Sequence, residues 1–407
     1  MREPTEETLD LGGTWRSCPA DATLDRITSP EVLDAIGVTR IADVDGLDRL
    51  ALPTVVAHRP LGRSLSSHQG KGIDRGLATI SAVMEAAECD RAERFELVDV
   101  FDSARELAAK GHAHLVPRDL PGPRPLLFED EAESARDRRW VHFEDLAGGP
   151  PVLVPRSLIR MDLSLEDAES RREACWLPPT TNGLAAGNSA DEAVLHAICE
   201  LVERHALADP HASVAVDPAA MTDPWIIGLC RELDRANIEV RLRIRFGRAR
   251  DRSASLNIPS YSCVLVDHDP GPARRPASFG SGCHPSPRIA ALRAITEAVQ
   301  ARTSLVAGAR DDLLPSTYHE VHAGIHAGEV THASASSVDP RPILVTSPKA
   351  MIEVCIRRLS DAGFPVVLAR ALETATPDAA SGIPVWRTVI PGLHFNPGSQ
   401  RWQGGLA

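Results

Sequence analysis

The sequence predicts a mixed α/β chain, α+β in class, built from internally duplicated helix–strand units. Two patterns predict it. A helix carrying carboxylates at fixed spacing occurs three times, at Gly76–Glu88, Asp191–Glu203 and Arg288–Gln300. Superposed, Glu85, Glu200 and Glu297 fall in one column, and Glu88, Glu203 and Gln300 in the next. A helix leading into two strands occurs twice, from Leu229 to Val266 and from Met351 to Ile390. Such alternation of helices with strands belongs to chains that mix both elements in one core.

The elements follow in chain order. The first 30 residues, broken by Pro4, Gly12, Gly13 and Pro19, read as an irregular arm or edge strand. A helix opens at Ser29-Pro30 and closes at Gly37, since glycine reaches the left-handed conformation of a helix end without steric cost. Val38–Val44 and Thr54–His58 read as strands. The second leads to Ser64–Gly72, a glycine loop holding Lys71 between two glycines. It lacks the G-x-x-x-x-G-K-[ST] spacing of a P-loop. After the first acidic helix come a short helix near Asp102–Lys110 and a charged, solvated stretch, Asp130–Arg139. Trp140–Asp145 and Pro151–Pro155 then pair around Gly148-Gly149. The turn Asn182–Asn188 enters the second acidic helix, where Ser189 and Glu192 have capping-box spacing, and a loop with Gly280 and Gly282 enters the third.

On the second acidic helix Glu200 and Glu203 project from one face, with Arg204 beside them and His196 one turn earlier. Val194, Leu195, Ile198, Leu201 and Val202 cover the other side. Taken alone, the carboxylates also fit a solvated charged face. Three solvated faces, however, have no reason to agree in register. Agreement of the apolar positions follows from amphipathic helices in general, whereas packing does not require the acidic columns. Paired carboxylates beside a glycine turn suit a hydrated divalent cation and the phosphates it carries.

Composition narrows the function. With 44 basic against 56 acidic residues the net charge is -12, which excludes a general nucleic-acid binder. The N-terminus is polar, and no apolar run approaches the roughly 18 residues of a membrane span, so a cytoplasmic protein is expected. The eight cysteines are scattered without C-x-x-C pairs, which fits neither a disulfide framework nor a zinc site. Cys199 and Cys283 stand near the acidic helices. His319, His322, His326 and His332 form a loose cluster one residue short of H-E-x-x-H.

Together these motifs resemble the YcaO family, whose members use ATP to activate a peptide-backbone amide. The likeness spans roughly Gly13 to Gln400 and rests on Ser81-x-x-x-Glu85-x-x-Glu88, Asn182–Asn188 with Glu200-x-x-Glu203-Arg204, and Arg293-x-x-x-Glu297-x-x-Gln300-x-Arg302. Ile383–Arg387 with Val389–Leu393 resembles the family's closing segment. Gly13–Arg16, Gly37–Val44 and Arg59–Gly72 look most like the branch found beside TfuA-type partners, associated with thioamide installation. The resemblance implies a YcaO-like fold with three acidic helices around a nucleotide site. It implies residues 1–60 as an arm and first strands, 61–400 as the ATP-binding catalytic unit and 401–407 as a tail.

It further implies ATP and Mg²⁺ as cofactors, with Glu85, Glu88, Glu200, Glu203 and Glu297 holding the metal. Lys71, Arg204, Arg293 and Arg302 become phosphate contacts, and Ser81 and Gln300 lie against the nucleotide. Implied partners are a precursor peptide or protein substrate, a TfuA-like or other delivery protein, and a second copy in a homodimer. Azoline-forming relatives often end in a proline-rich tail, whereas this chain ends Trp402–Ala407, which favours the thioamide product. Azoline formation at Cys, Ser or Thr, and a non-catalytic role beside ribosomal protein methylthiolation, remain alternatives. No His, Cys or Asp stands out by spacing as a general base.

Overall fold

Each acidic helix folds back onto the strand that feeds it. The computed structural model describes residues 9–11, 14–50, 52–115, 134–164, 180–209, 213–218, 221, 223–251, 255–269, 277–308 and 346–393. The histidine cluster at 319–332 and the tail from 394 lie outside the described residues. In chain order the first elements are β1 (Leu9–Asp10), β2 (Trp15–Arg16), α1 (Ala20–Ile27), α2 (Pro30–Ala35), β3 (Arg40–Asp43), β4 (Thr54–His58) and β5 (Ser67–Lys71). Next come α3 (Arg75–Glu93), β6 (Val100–Ser103), α4 (Ala104–Ala109), β7 (Asp137–Asp145), β8 (Val152–Pro155), β9 (Leu184–Ala186) and α5 (Ala190–Leu207). The rest are β10 (Ser213–Val216), α6 (Pro224–Arg235), β11 (Ile238–Arg245), β12 (Ser260–Asp267), β13 (Ala277–Cys283), α7 (Pro287–Ala307), α8 (Pro348–Asp361), β14 (Leu368–Ala371) and β15 (Val385–Val389).

The duplication goes further than its sequence trace. A helix, three antiparallel strands and an acidic helix form one unit at α2-β3-β4-β5-α3 and another at α6-β11-β12-β13-α7. A third has the same parts drawn from two places in the chain. Its α8, β14 and β15 come from the C-terminal end, and β15 pairs antiparallel with β9, which feeds α5. Three hydrophobic clusters follow these units, around α3, α5 and α7 respectively.

Three expectations are corrected. The glycine loops expected at 64–72 and 280–284 are largely strand, β5 and β13. Their glycines serve helix contact. A β-carbon on Gly70 would lie 1.9 Å from the Ala78 carbonyl oxygen, and one on Gly282 would lie 2.2 Å from that of Ala290. Only a residue without a side chain lets α3 and α7 lie this close to their strands. Within the N-terminal arm, α1 is a helix, with Asp21 in its first turn, Arg26 in its last and Thr23 and Ile27 buried. The end of the stretch expected to be solvated, Asp137–Arg139, belongs to β7, and Arg138 is buried.

Candidate functional site

The acidic helices are core helices. Beyond its first turn α3 is mostly buried, but Thr79 and, at i, i+4 and i+7, Ser81, Glu85 and Glu88 stay partly open. His196, Glu200 and Arg204 form the corresponding stripe on α5, and Arg293, Glu297 and Gln300 that on α7. A helix buried on its remaining sides keeps a polar stripe only where the stripe faces something polar. Here the stripes face one another.

Contacts tie them into one cluster. Lys71, at the end of β5, donates to Glu297 of α7 at 2.6 Å. The Ser281 hydroxyl on β13 bridges Glu203 at 2.7 Å and Glu297 at 3.3 Å. Arg204 stands 3.5 Å from Glu200 and 3.8 Å from Glu203. Glu88 of α3 accepts the Ala186 N–H at 2.7 Å, and Glu200 accepts the Gly183 N–H at 2.9 Å. The Asn182–Asn188 segment therefore spends backbone donors on the protein's own carboxylates, with Gly183 supplying the positive φ of 77° that the turn requires. Glu192, expected to close a capping box, donates its backbone N–H to the Ser189 hydroxyl but turns its carboxylate to the N–H groups of Ser17 and Asn188.

Charge divides the cluster in two. Burial pushes the Glu88 carboxyl well above the usual range, and Glu85 and Glu200 push it further against the Ala186 N–H. Burial also raises Glu200 and Glu203. Burial acts the same way on Glu297, yet Lys71 and Arg204 hold it below the ordinary value. Among the described residues, positive charge reaches Glu88 from the more distant His68, which stands 3.9 Å from Glu85. Among the described residues no three His, Cys, Asp or Glu side chains converge tightly enough to hold a metal ion by themselves. Mg²⁺ takes one or two carboxylates and completes its shell with water and phosphate oxygens, so it does not require such a cluster.

A family model described as YcaO cyclodehydratase, ATP- and Mg²⁺-binding, matches residues 69–394. The chain belongs to the YcaO family. ATP and Mg²⁺ are accordingly the cofactors of this YcaO chain. An uncharacterised protein from the tfuA 3′ region of Rhizobium leguminosarum bv. trifolii is 31% identical over 382 residues, covering 91% of this chain and 87% of that protein. An uncharacterised protein of Methanothermobacter thermautotrophicus is 29% identical over 89% of this chain and 91% of its own length. In fold, the chain is similar to YcaO from Methanopyrus kandleri bound with AMPPCP and Mg²⁺, with a TM-score of 0.70, 22% identity and coverage of 96% and 95%. It is also similar to a heterocyclase in complex with substrate and cofactor, with a TM-score of 0.73, 20% identity and coverage of 100% of this chain and 58% of that one.

Of the residues expected at the site, Lys71, Glu88, Glu200, Glu203, Arg204 and Glu297 are joined by the contacts above, and Ser81 and Glu85 share the open stripe of α3. Gln300 donates to the Gln69 carbonyl at 3.1 Å, and Arg293 donates to His196 at 2.7 Å. Arg302 is turned elsewhere: it pairs with Asp48 at 2.6 Å and Asp267 at 2.7 Å. Sequence reasoning missed Ser281 and Arg387. Arg387 on β15 is buried beside Glu200 with two guanidinium nitrogens unpartnered, and burial lowers its pKa to about 10. Its sequence signals were a charged residue at an inward position of an apolar strand and its place in the closing segment Ile383–Arg387.

Among the described residues no helix is long and apolar enough to cross a membrane.

Proposed function

We propose that this YcaO chain converts a backbone amide of a ribosomally made peptide or protein into a thioamide. Residues Glu85, Glu88, Glu200, Glu203 and Glu297 are the metal-binding set, and Lys71 and Arg204 are the phosphate contacts. Ser81, Arg293 and Gln300 flank the nucleotide. Arg302, committed to two buried carboxylates, is assigned a structural role instead. Bound there, ATP supplies a phosphoryl group that makes the amide oxygen a leaving group, so that amide, hydrosulfide and ATP yield thioamide, ADP and inorganic phosphate. The chain's own task is alignment and charge neutralisation in a partly dry site. Lys71 and Arg204 lend positive charge to Glu297, Glu203 and Glu200, and Glu85 and Glu88, with less of it beside them, attract cations.

The observation carrying the choice of product is the likeness, over nearly the full length of both chains, to a protein encoded beside tfuA. A TfuA-like protein is the proposed delivery partner. Mass spectrometry of a candidate peptide treated with this chain, ATP, Mg²⁺ and sulfide is the test. Exchange of oxygen for sulfur is expected. Loss of one water instead identifies an azoline-forming enzyme, and an unchanged peptide with bound nucleotide identifies a non-catalytic accessory.

A further inference from the structure

Arg387 is a buried cation without a hydrogen-bond partner on its Nε or Nη1, beside the carboxylate cluster. It sits in the middle of β15, directly across from Leu184 of β9. Val385, Val389, Leu184 and Ala186 share its face of the sheet and belong to the apolar core around α3. The segment next to it holds Glu200 through the Gly183 N–H and Glu88 through the Ala186 N–H. Arg387 therefore stands beside the strand that joins the acidic helices α3 and α5.

Packing does not account for it. Buried arginines elsewhere are paired: Arg59 with Glu93, Arg91 with Asp378, and Arg302 with Asp48 and Asp267. An unpaired guanidinium in an apolar wall lowers stability, whereas an aliphatic side chain between Val385 and Val389 would not. At 1% exposure, Arg387 is also out of reach of nucleotide and peptide.

Glu200 supplies the reason. Its charge acts on Arg387, and the attraction is mutual. The equivalent carboxylates of the other two helices each have a basic neighbour from a strand. His68 of β5 stands 3.9 Å from Glu85, and Lys71 of β5 stands 2.6 Å from Glu297. Arg387 of β15 holds that place for Glu200. Arg204 also reaches Glu200, at 3.5 Å, but Glu203 shares it and its side chain is 31% exposed, open to a phosphate.

We propose that Arg387 is a positioning residue that acts through Glu200, holding this carboxylate in place for a divalent cation while Arg204 turns to phosphate. The proposal rests on the reading of Glu200 as a metal ligand. The guanidinium itself touches neither metal nor substrate.

The test is the Mn²⁺ affinity of the full chain with a non-hydrolysable ATP analogue, read from the electron paramagnetic resonance of the free ion. Arg387→Met, which removes the charge and keeps the length, is expected to weaken Mn²⁺ about tenfold, and Arg387→Lys to stay within about threefold of the parent. The ligand-free Tm of Arg387→Met should match or exceed that of the parent, because the lost Nε and Nη1 had no partner. A Tm lowered by more than about 5 °C identifies a structural arginine and overturns the proposal, as does an affinity in Arg387→Lys no better than in Arg387→Met. Adding Arg387→Met to Glu200→Gln should change the affinity less than about twofold, since one residue acts through the other, and additive losses reject that coupling. Parental affinity in Glu200→Gln rejects the metal reading of Glu200. Loss there with parental affinity in Arg387→Met rejects the role of Arg387 alone.

Discussion

The two halves of the carboxylate cluster have the same residue type on equivalent helices and opposite electrostatics. Glu203 and Glu297 are bridged by the Ser281 hydroxyl and flanked by Lys71 and Arg204. Glu88 has carboxylates for neighbours, with one backbone N–H and the more distant His68 for support. The difference shows that helical register alone does not set a carboxylate's role. The cations that set it arrive from β5 and from the helix position after Glu203. One half already has positive charge beside it, and the other is short of it.

The comparison breaks most sharply at Glu88. Glu88→Gln is expected to lower ATP turnover about a hundredfold, the scale of removing one electrostatic contact to the transition state. Its ligand-free Tm should equal or exceed that of the parent chain, because a repelled, buried charge is gone. Wild-type turnover in steady-state kinetics would sink the assignment. Glu200→Gln should behave in the same direction, although loss of the ion pair with Arg204 limits any gain in Tm.

The pH profile sharpens the contrast. The folded Glu88 carboxyl titrates above its ordinary value of 4.5, so the folded chain binds more protons than the unfolded chain in that window. This contribution is present below the unfolded value and is lost as pH rises through the folded one. The Tm difference between the ligand-free parent chain and Glu88→Gln should therefore slope downward with rising pH above about 4.5, the parent losing stability relative to the variant. Mg²⁺ with a nucleotide should release protons and remove most of the slope, which calorimetry in two buffers can read.

Lys71→Met probes the compensated half. Without the ammonium group, the carboxyl of Glu297 is expected to rise out of its lowered range and the KM for ATP to increase about tenfold, with a smaller loss in kcat. An unchanged KM would place Lys71 outside the phosphate path. Arg302→Met should have the smallest effect on turnover. Its KM for ATP is expected to stay constant while urea denaturation shows a loss of about 3 kcal/mol, because Asp48 and Asp267 lose a shared buried partner.

The repeated acidic helices, the two helix-strand-strand copies and most element boundaries were legible, since helical periodicity and strand patterning are local. The helix in the N-terminal arm was missed because Pro19 reads as a breaker when it in fact precedes the first turn. The glycines of 64–72 and 280–284 read as loops because a glycine needed for close helix contact looks the same in sequence as one needed for a turn. Glu200 and Glu203 fitted a solvated face on spacing alone. Their burial depends on β9 and β13, which no helical pattern reports.

The sequence by itself determined that three helices would carry carboxylates in register, and that Lys71 and Arg204 would stand near them, because these follow from spacing along the chain. Only the tertiary structure decided that the third unit is assembled from β9-α5 and α8-β14-β15. It alone decided that Arg302 serves Asp48 and Asp267, and that Arg387 lies buried beside Glu200. Those outcomes depend on which distant segments share a desolvated space, where charge and hydrogen bonding are settled by neighbours in space rather than in sequence.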